Sequence, residues 1–167
     1  LGTFQLTEPN AGSDAARIEA KIVEVGRGRY AVSGNKIFVT NGALSNFGVV
    51  FATMGKDGRG RPRYTAALVP GIQRHMSPQA EAKLGLLGSR TNSFNYDEVP
   101  LTIRHILGGK PGIGRGFKGA MSALDRGRVT LSAIAVGMAQ RALDESIAHY
   151  KRFGTGGREL YAGDVEG

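Results

Sequence analysis

Cysteine and tryptophan are absent from the 167 residues, and no apolar run approaches the length of a membrane-spanning helix. Without cysteine there is no disulfide, no thiol nucleophile and no thiolate metal ligand. Aromatic residues make up only 7% of the chain, which supplies few stacking platforms for nucleic-acid bases. The three histidines, His75, His105 and His149, lack any metal-ligand spacing. No Gly-Lys-Ser/Thr phosphate loop occurs. Gly112, Gly114 and Gly116 spell Gly-x-Gly-x-Gly, but a dinucleotide fingerprint needs a βαβ unit around it, and none is patterned here. The net charge is +8, from 22 basic against 14 acidic residues. Its basic residues, such as Arg27, Arg29, Arg59, Arg61, Arg63, Arg74, Arg104 and Arg115, are scattered rather than gathered into a stripe, so nucleic acid is not expected as a partner. A small polyanionic ligand suits such a surface equally well.

What is present in excess is glycine, with 26 residues. Between the glycines lie short β-favouring runs. Arg17–Ile22 alternates as a half-buried strand does, and Tyr30 and Val32 restart one before Gly34-Asn35, read as a turn. Lys36–Thr40, Val49–Met54, Tyr64–Val69, Ser93–Tyr96 and Leu101–Leu107 read as further strands. Lys56–Gly60 reads as a hairpin connection. The pattern predicts a small, mainly β, barrel-like domain over about residues 1–110. From about 116 to 151 the pattern changes. Phe117, Met121, Leu124, Leu131, Ala135, Met138, Ala142 and Ile147 recur at spacings near three and four, predicting one long helix of roughly 50 Å. Residues 111–167 therefore read as the start of a helical domain, with a loose tail from Thr155. The helix is too long for a domain this small to cover, so a partner bundle or subunit is expected. The chain opens at Leu1 with neither an initiator Met nor a signal-peptide pattern and reads as a piece of a longer protein.

One stretch organises the rest: Leu6-Thr7-Glu8-Pro9-Asn10-Ala11-Gly12-Ser13-Asp14. Pro9 removes a backbone donor and fixes its own φ, while Asn10 and Gly12 tolerate left-handed conformations. The residues themselves allow two readings. One is a rigid loop presenting N–H groups and the Thr7 and Ser13 hydroxyls to a ligand. The other is a tight surface turn capped by Ser13 and Asp14. Leu-Thr-Glu-Pro-x-Ala-Gly-Ser-Asp resembles the signature of the acyl-CoA dehydrogenase family. Three further stretches match it in order: Lys36–Gly42, Gly85–Thr91 and Asp125–Arg128. The resemblance runs to about Gly154 and implies a fragment of an α + β-barrel + α fold: the middle β domain plus the first long helix of the C-terminal domain.

The resemblance implies FAD as cofactor and an acyl-CoA thioester as substrate, oxidised to the trans-2-enoyl thioester. A glutamate takes the α-proton while the β-hydride passes to flavin N5. On this reading Phe4 lies at the flavin edge, and Leu6 and Thr7 offer hydrogen bonds to the flavin's polar side. Gly12 and Ser13 reach the phosphate region and the acyl-CoA. Phe38 packs on the ring system, in a position where most members carry Trp. Val39 and Thr40 line the same wall, with the Thr40 hydroxyl near N5. Asp125 and Arg128, three apart on the helix and so on one side, face the substrate; without the resemblance they would be an exposed ion pair of little energetic worth. Gly85–Thr91 is assigned a structural role.

The catalytic glutamate is expected outside this chain. A minority of the family carries it immediately before the matching Arg, where this chain has Gly127; Glu145, Glu159 and Glu166 match no such role. Tyr150 stands where the family usually has an arginine that touches a neighbouring subunit's flavin, so that contact is not assigned to it or to Arg152. The implied partners are an electron-transfer flavoprotein or similar acceptor and further copies of the chain, as a tetramer or dimer. The implied location is the cytoplasm in a bacterium or the mitochondrial matrix in a eukaryote. The isolated 167 residues are expected to be inactive. Two other readings stay open: an acyl-CoA oxidase or flavin monooxygenase of the same fold, and a non-catalytic module that holds CoA or another polyanion.

Overall fold

The computed structural model describes residues 1–154. The loose tail expected from Thr155, with Glu159 and Glu166, lies outside the described residues. Chain contacts divide the protein into two units, Leu1–Met121 and Ser122 onward.

Seven strands form one curled sheet in the first unit: β1 (Gly2–Gln5), β2 (Lys21–Gly26), β3 (Arg29–Thr40), β4 (Phe47–Lys56), β5 (Pro62–Pro70), β6 (Met76–Ala80) and β7 (Thr91–Thr102). β4 anchors it. β5 pairs antiparallel along its length, while β1 pairs parallel with its first half, from Gly2↔Phe47 to Gln5↔Val50. β2 joins further along, also parallel, at Lys21↔Thr53. The order continues β2–β3–β7–β6, all antiparallel. The chain after β7 returns to β5, where Leu107 N–H donates to the Ala66 carbonyl at 2.9 Å. That covers part of what would otherwise be an open strand edge.

Four expectations are corrected. Residues 18–20 are not in a strand; a 3-10 turn occupies Ala15–Arg17 and β2 begins at Lys21. Gly34-Asn35 is not a turn, because β3 runs unbroken for 12 residues. Gly34 instead sits at φ 140° where the chain crosses Ala20, and a Cβ there would lie 2.6 Å from the Ala20 methyl. Residues 93–100 belong to one strand, and the strand expected at 101–107 ends at Thr102. There the Thr102 side chain and His105 cap a 3-10 turn reciprocally. β1 and β6 carry too few alternating apolar residues to be legible in the sequence.

Two bulges decide which residues face inward. Along β3 the inward set is Tyr30, Val32 and Lys36, at even numbers. Between Lys36↔Phe94 and Val39↔Asn92, β3 carries one extra residue. Phe38, at φ 56°, takes up the slack, and the inward phase passes to Val39. β7 does the same at Glu98, φ 47°, changing its inward set from Val99 and Leu101 to Phe94 and Tyr96. A one-residue slip exchanges the two faces of a strand, so each bulge re-aims everything beyond it.

The core gathers Val32, Val50, Val69, Ile72 and Phe94, all essentially inaccessible to solvent. Two polar links run through it. The Tyr96 hydroxyl donates to Gln5 Oε1 at 2.7 Å, and Gln5 Nε2 donates to Thr3 Oγ1 at 2.8 Å, pinning β1 to β7. The second is an ion pair. Lys36 is 0% exposed and Glu8 4%, and their Nζ–Oε1 distance is 2.6 Å. The Lys36 ammonium also donates to the carbonyls of Leu6 (3.2 Å) and Phe51 (2.5 Å), so its three protons have three acceptors. Glu8 Oε2 accepts from Glu19 N–H at 2.6 Å and Ala20 N–H at 3.3 Å.

A short helix, α1 (Gly109–Gly112), precedes α2 (Gly116–Phe153), a single 38-residue helix. Gly116 opens α2 against β5, where a Cβ would meet the Thr65–Ala66 backbone at 2.7 Å; only glycine admits this approach. Phe117 packs on Tyr64 with ring centroids 5.2 Å apart, and the Tyr64 hydroxyl donates to the Ala16 carbonyl at 2.5 Å. In the second unit, Val129, Leu131, Ile134, Val136, Met138 and Leu143 are exposed on α2.

Removing one partner of a buried pair strands the other charge. Lys36→Met is expected to cost about 3–5 kcal/mol of unfolding free energy. Glu8→Gln combined with Lys36→Met should cost clearly less; denaturant titration of the three proteins checks this. Burial also holds the Tyr96 hydroxyl well above the usual tyrosine pKa. The folded state therefore keeps a proton that the unfolded chain gives up near pH 10, and the stability this provides is full below pH 10 and lost as pH rises beyond it. Tyr96→Phe should flatten that alkaline decline in a series of thermal melts.

Candidate functional site

The opening loop begins where β1 ends. Glu8 and Ala11 exchange two backbone hydrogen bonds of 3.1 Å each, which folds Pro9 and Asn10 into a tight exposed corner. Thr7 is bound to β3 through its carbonyl, which accepts from Ile37 N–H at 3.0 Å. The loop is therefore held at Leu6 and Glu8 by Lys36 and at Thr7 by Ile37, the two residues directly before the Phe38 bulge.

Phe38 is 62% exposed in the left-handed region, an outlier for a bulky residue. Anchors on both sides hold it there. Before it lie the Lys36 and Ile37 bonds. After it come the Val39↔Asn92 and Thr40↔Thr91 pairs and an Asn41 N–H bond to the Arg90 carbonyl at 2.8 Å. Strain of this kind persists only where the surroundings over-determine the conformation, and it concentrates at ligand sites.

The expected residues divide as follows. The loop-to-β3 bonds set Leu6 and Thr7 beside Lys36 and Ile37, directly before Phe38, Val39 and Thr40 in the chain. Thr40 is exposed, whereas the Val39 side chain is buried, so only its peptide group can meet a ligand. The Leu6 side chain is buried too, and its carbonyl already accepts from Lys36. Phe4 on β1 is part-exposed, with its ring 4.8 Å from Phe51. Gly12 and Ser13 are exposed, and no atom lies within 4 Å of a Cβ built on Gly12. Asp125 and Arg128 belong to the second unit. They form an exposed ion pair, Nη1–Oδ1 2.5 Å, one turn apart on α2. A groove beside the loop is lined by Pro9, Asn10, Lys21, Asn35, Lys56 and Arg63 among others. In Gly85–Thr91, Lys83 Nζ donates to the Leu86 and Ser89 carbonyls, a turn-stabilising arrangement.

Sequence reasoning does not single out Glu8 and Lys36 as site residues. The available signal is the phase of β3: a lysine at an even number, in step with inward Tyr30 and Val32, requires a buried acceptor. Nothing in the sequence says which acid, 28 residues away, supplies it.

Residues 3–99 match the acyl-CoA dehydrogenase middle domain, and residues 114–165 the acyl-CoA dehydrogenase C-terminal domain. The chain belongs to the acyl-CoA dehydrogenase family. It is 35% identical over 153 residues to the short-chain-specific acyl-CoA dehydrogenase of Megasphaera elsdenii, covering 91% of this chain and 39% of the relative. It is 34% identical over 151 residues to a subunit of the caffeyl-CoA reductase–Etf complex of Acetobacterium woodii, covering 89% of this chain and 38% of that one. A solved acyl-CoA dehydrogenase complexed with FAD, from Bacillus anthracis, superposes with a TM-score of 0.81 at 26% identity, covering 93% of this chain and 26% of that one. The chain thus spans about two fifths of the length of the curated relatives it matches.

If the Phe38 conformation is kept for a ligand, relieving it should help the fold and harm the site. Phe38→Gly is expected to raise stability by about 1 kcal/mol, the order of the left-handed penalty for a side chain. The same change should weaken flavin retention. Melting temperature and FAD titration on one preparation read both effects.

Proposed function

We propose that the protein carrying this chain is an FAD-dependent dehydrogenase that converts an acyl-CoA thioester to the trans-2-enoyl thioester. The observation that carries this is the exposed, left-handed Phe38 beside a rigidly tied donor loop, in a chain of this family. The residues suit a flavin: Phe4 and Phe38 offer exposed flat apolar rings, and Thr7 and Thr40 offer hydroxyls. FAD, when bound, supplies the acceptor for the hydride that leaves Cβ.

The chain's own residues bind and orient. Phe38 covers the ring face and excludes water, with Phe4 at its edge. Thr7, Thr40 and the peptide groups at Leu6 and Val39 meet its polar side. Such fixed dipoles favour the added negative charge without reorganising. Gly12 and Ser13 present a small, open surface to phosphate and to the acyl-CoA. Arg128, paired with Asp125, offers a cation to the substrate. Gly127, one residue earlier, leaves that position without a carboxylate, so the base is assigned to a glutamate outside these residues.

An electron-transfer flavoprotein as acceptor is supported by the relative in the caffeyl-CoA reductase–Etf complex. The exposed apolar side chains of α2 support packing against further helices or a second copy. That same relative is a reductase, which favours a second reading: the reaction run from enoyl to acyl thioester.

The full-length protein should show flavin absorbance bands that bleach on anaerobic addition of a saturated acyl-CoA. Bands that persist with acyl-CoAs, in an enzyme whose prereduced form is reoxidised by an enoyl-CoA, would favour the reductase. No flavin after incubation with FAD would overturn both readings.

A further inference from the structure

Three features converge on the segment Lys36–Phe38. The only lysine fully buried among the described residues stands two positions before a strained aromatic. Its ammonium joins β3, which carries it, to two other pieces of chain: the opening loop at Leu6 and Glu8, and β4 at Phe51. Its partner Glu8 extends the tie to a fourth piece, through the Glu19 and Ala20 N–H groups. A charge pair this deeply buried contributes little net stability compared with an apolar pair of the same volume. Stability alone does not account for its placement.

Geometry does. The bulge at Phe38 holds only if the residues before it cannot slide along β7. A slide of one residue would relieve the left-handed φ at Phe38 and carry Ile37 inward in place of Lys36, because without the bulge the inward phase of Val39 runs on through odd numbers. Apolar packing does not oppose this, because Ile is a good core residue. A buried ammonium does: moving Lys36 outward by one position would leave Glu8 and two carbonyls without their donor. The same bonds fix the loop whose Thr7 carbonyl is tied to β3.

We propose that Lys36 and Glu8 are positioning residues for the cofactor wall: their buried pair locks the β3 register, keeping the left-handed bulge at Phe38 and the 6–13 loop beside it. The proposal rests on the flavin reading above. Neither residue touches the cofactor; they act through Phe38 and the loop.

The test uses the full-length protein and FAD itself. Glu8→Gln with Lys36→Met removes both charges, so it avoids the unpaired buried ion that Lys36→Met alone leaves behind. Val32→Ala serves as a control, a core cavity of similar cost on the same strand. The double variant is expected to bind FAD roughly tenfold or more weakly, the scale of released backbone strain. It should also lose the vibronic fine structure of the protein-bound flavin spectrum. Val32→Ala should keep both affinity and band shape. A double variant that folds and binds FAD with wild-type affinity and spectrum overturns the proposal. Equal loss in Val32→Ala and the double variant also overturns it, by reducing the pair to general stability. Wild-type protein that takes up no FAD instead sinks the flavin reading, which is a separate outcome.

Discussion

A lysine ammonium with no access to water requires a counter-charge and three acceptors, and satisfying Lys36 and its partner Glu8 ties together four stretches of chain. Glu8 must leave the surface to reach Lys36, which draws the Pro9-Asn10 corner tight against the sheet. Residues 19–20 must pass close enough for their N–H groups to satisfy the second carboxylate oxygen, and β2 starts from there. The Phe51 carbonyl ties in β4, on which β1 and β5 are built. The first unit is thus organised around one polar contact as well as around its apolar core.

The energetic logic separates stability from placement. The apolar cluster of Val32, Val50, Val69, Ile72 and Phe94 stabilises the sheet without regard to small shifts in register, since hydrophobic burial is non-directional. Hydrogen bonds to a buried charge are directional, and an error of one residue leaves them unmade. A register set by such bonds can sustain a conformation that packing alone would relax. Phe38 is in that position: exposed, left-handed and bracketed by anchors. An aromatic ring held rigidly on the outside of a strand is a cost to the free fold and an advantage to a flat ligand.

Much of the fold is legible in the residues themselves. The glycine-punctuated short strands read correctly as a mainly β domain, and the three-and-four spacing after Gly116 reads correctly as one long helix, because those patterns are local. The family resemblance is carried by runs of fixed residues, and the match of the middle and C-terminal domains bears it out. The misreadings share a cause. Gly34-Asn35 looks like a turn because glycine followed by asparagine ordinarily is one; a crossing at Ala20, fixed only in three dimensions, keeps β3 unbroken. The Phe38 bulge is invisible in the sequence because φ is not written in residue type, and Phe is not a left-handed residue by preference. Glu8 and Lys36 stand inside two of the family motifs, yet their pairing is a long-range contact that no local period reports. Residues 93–100 look divided because the bulge at Glu98 shifts the alternation partway along β7.

The surface proposed to receive the flavin is the 6–13 loop with the β3 segment 38–41. Amide hydrogen exchange on the full-length protein, with and without FAD, tests it most directly. The account predicts that FAD slows exchange in those two segments together, while the β4–β5 hairpin at 56–61 is unchanged. Exchange that is unaltered in both segments, with protection appearing elsewhere in the sheet, would contradict it.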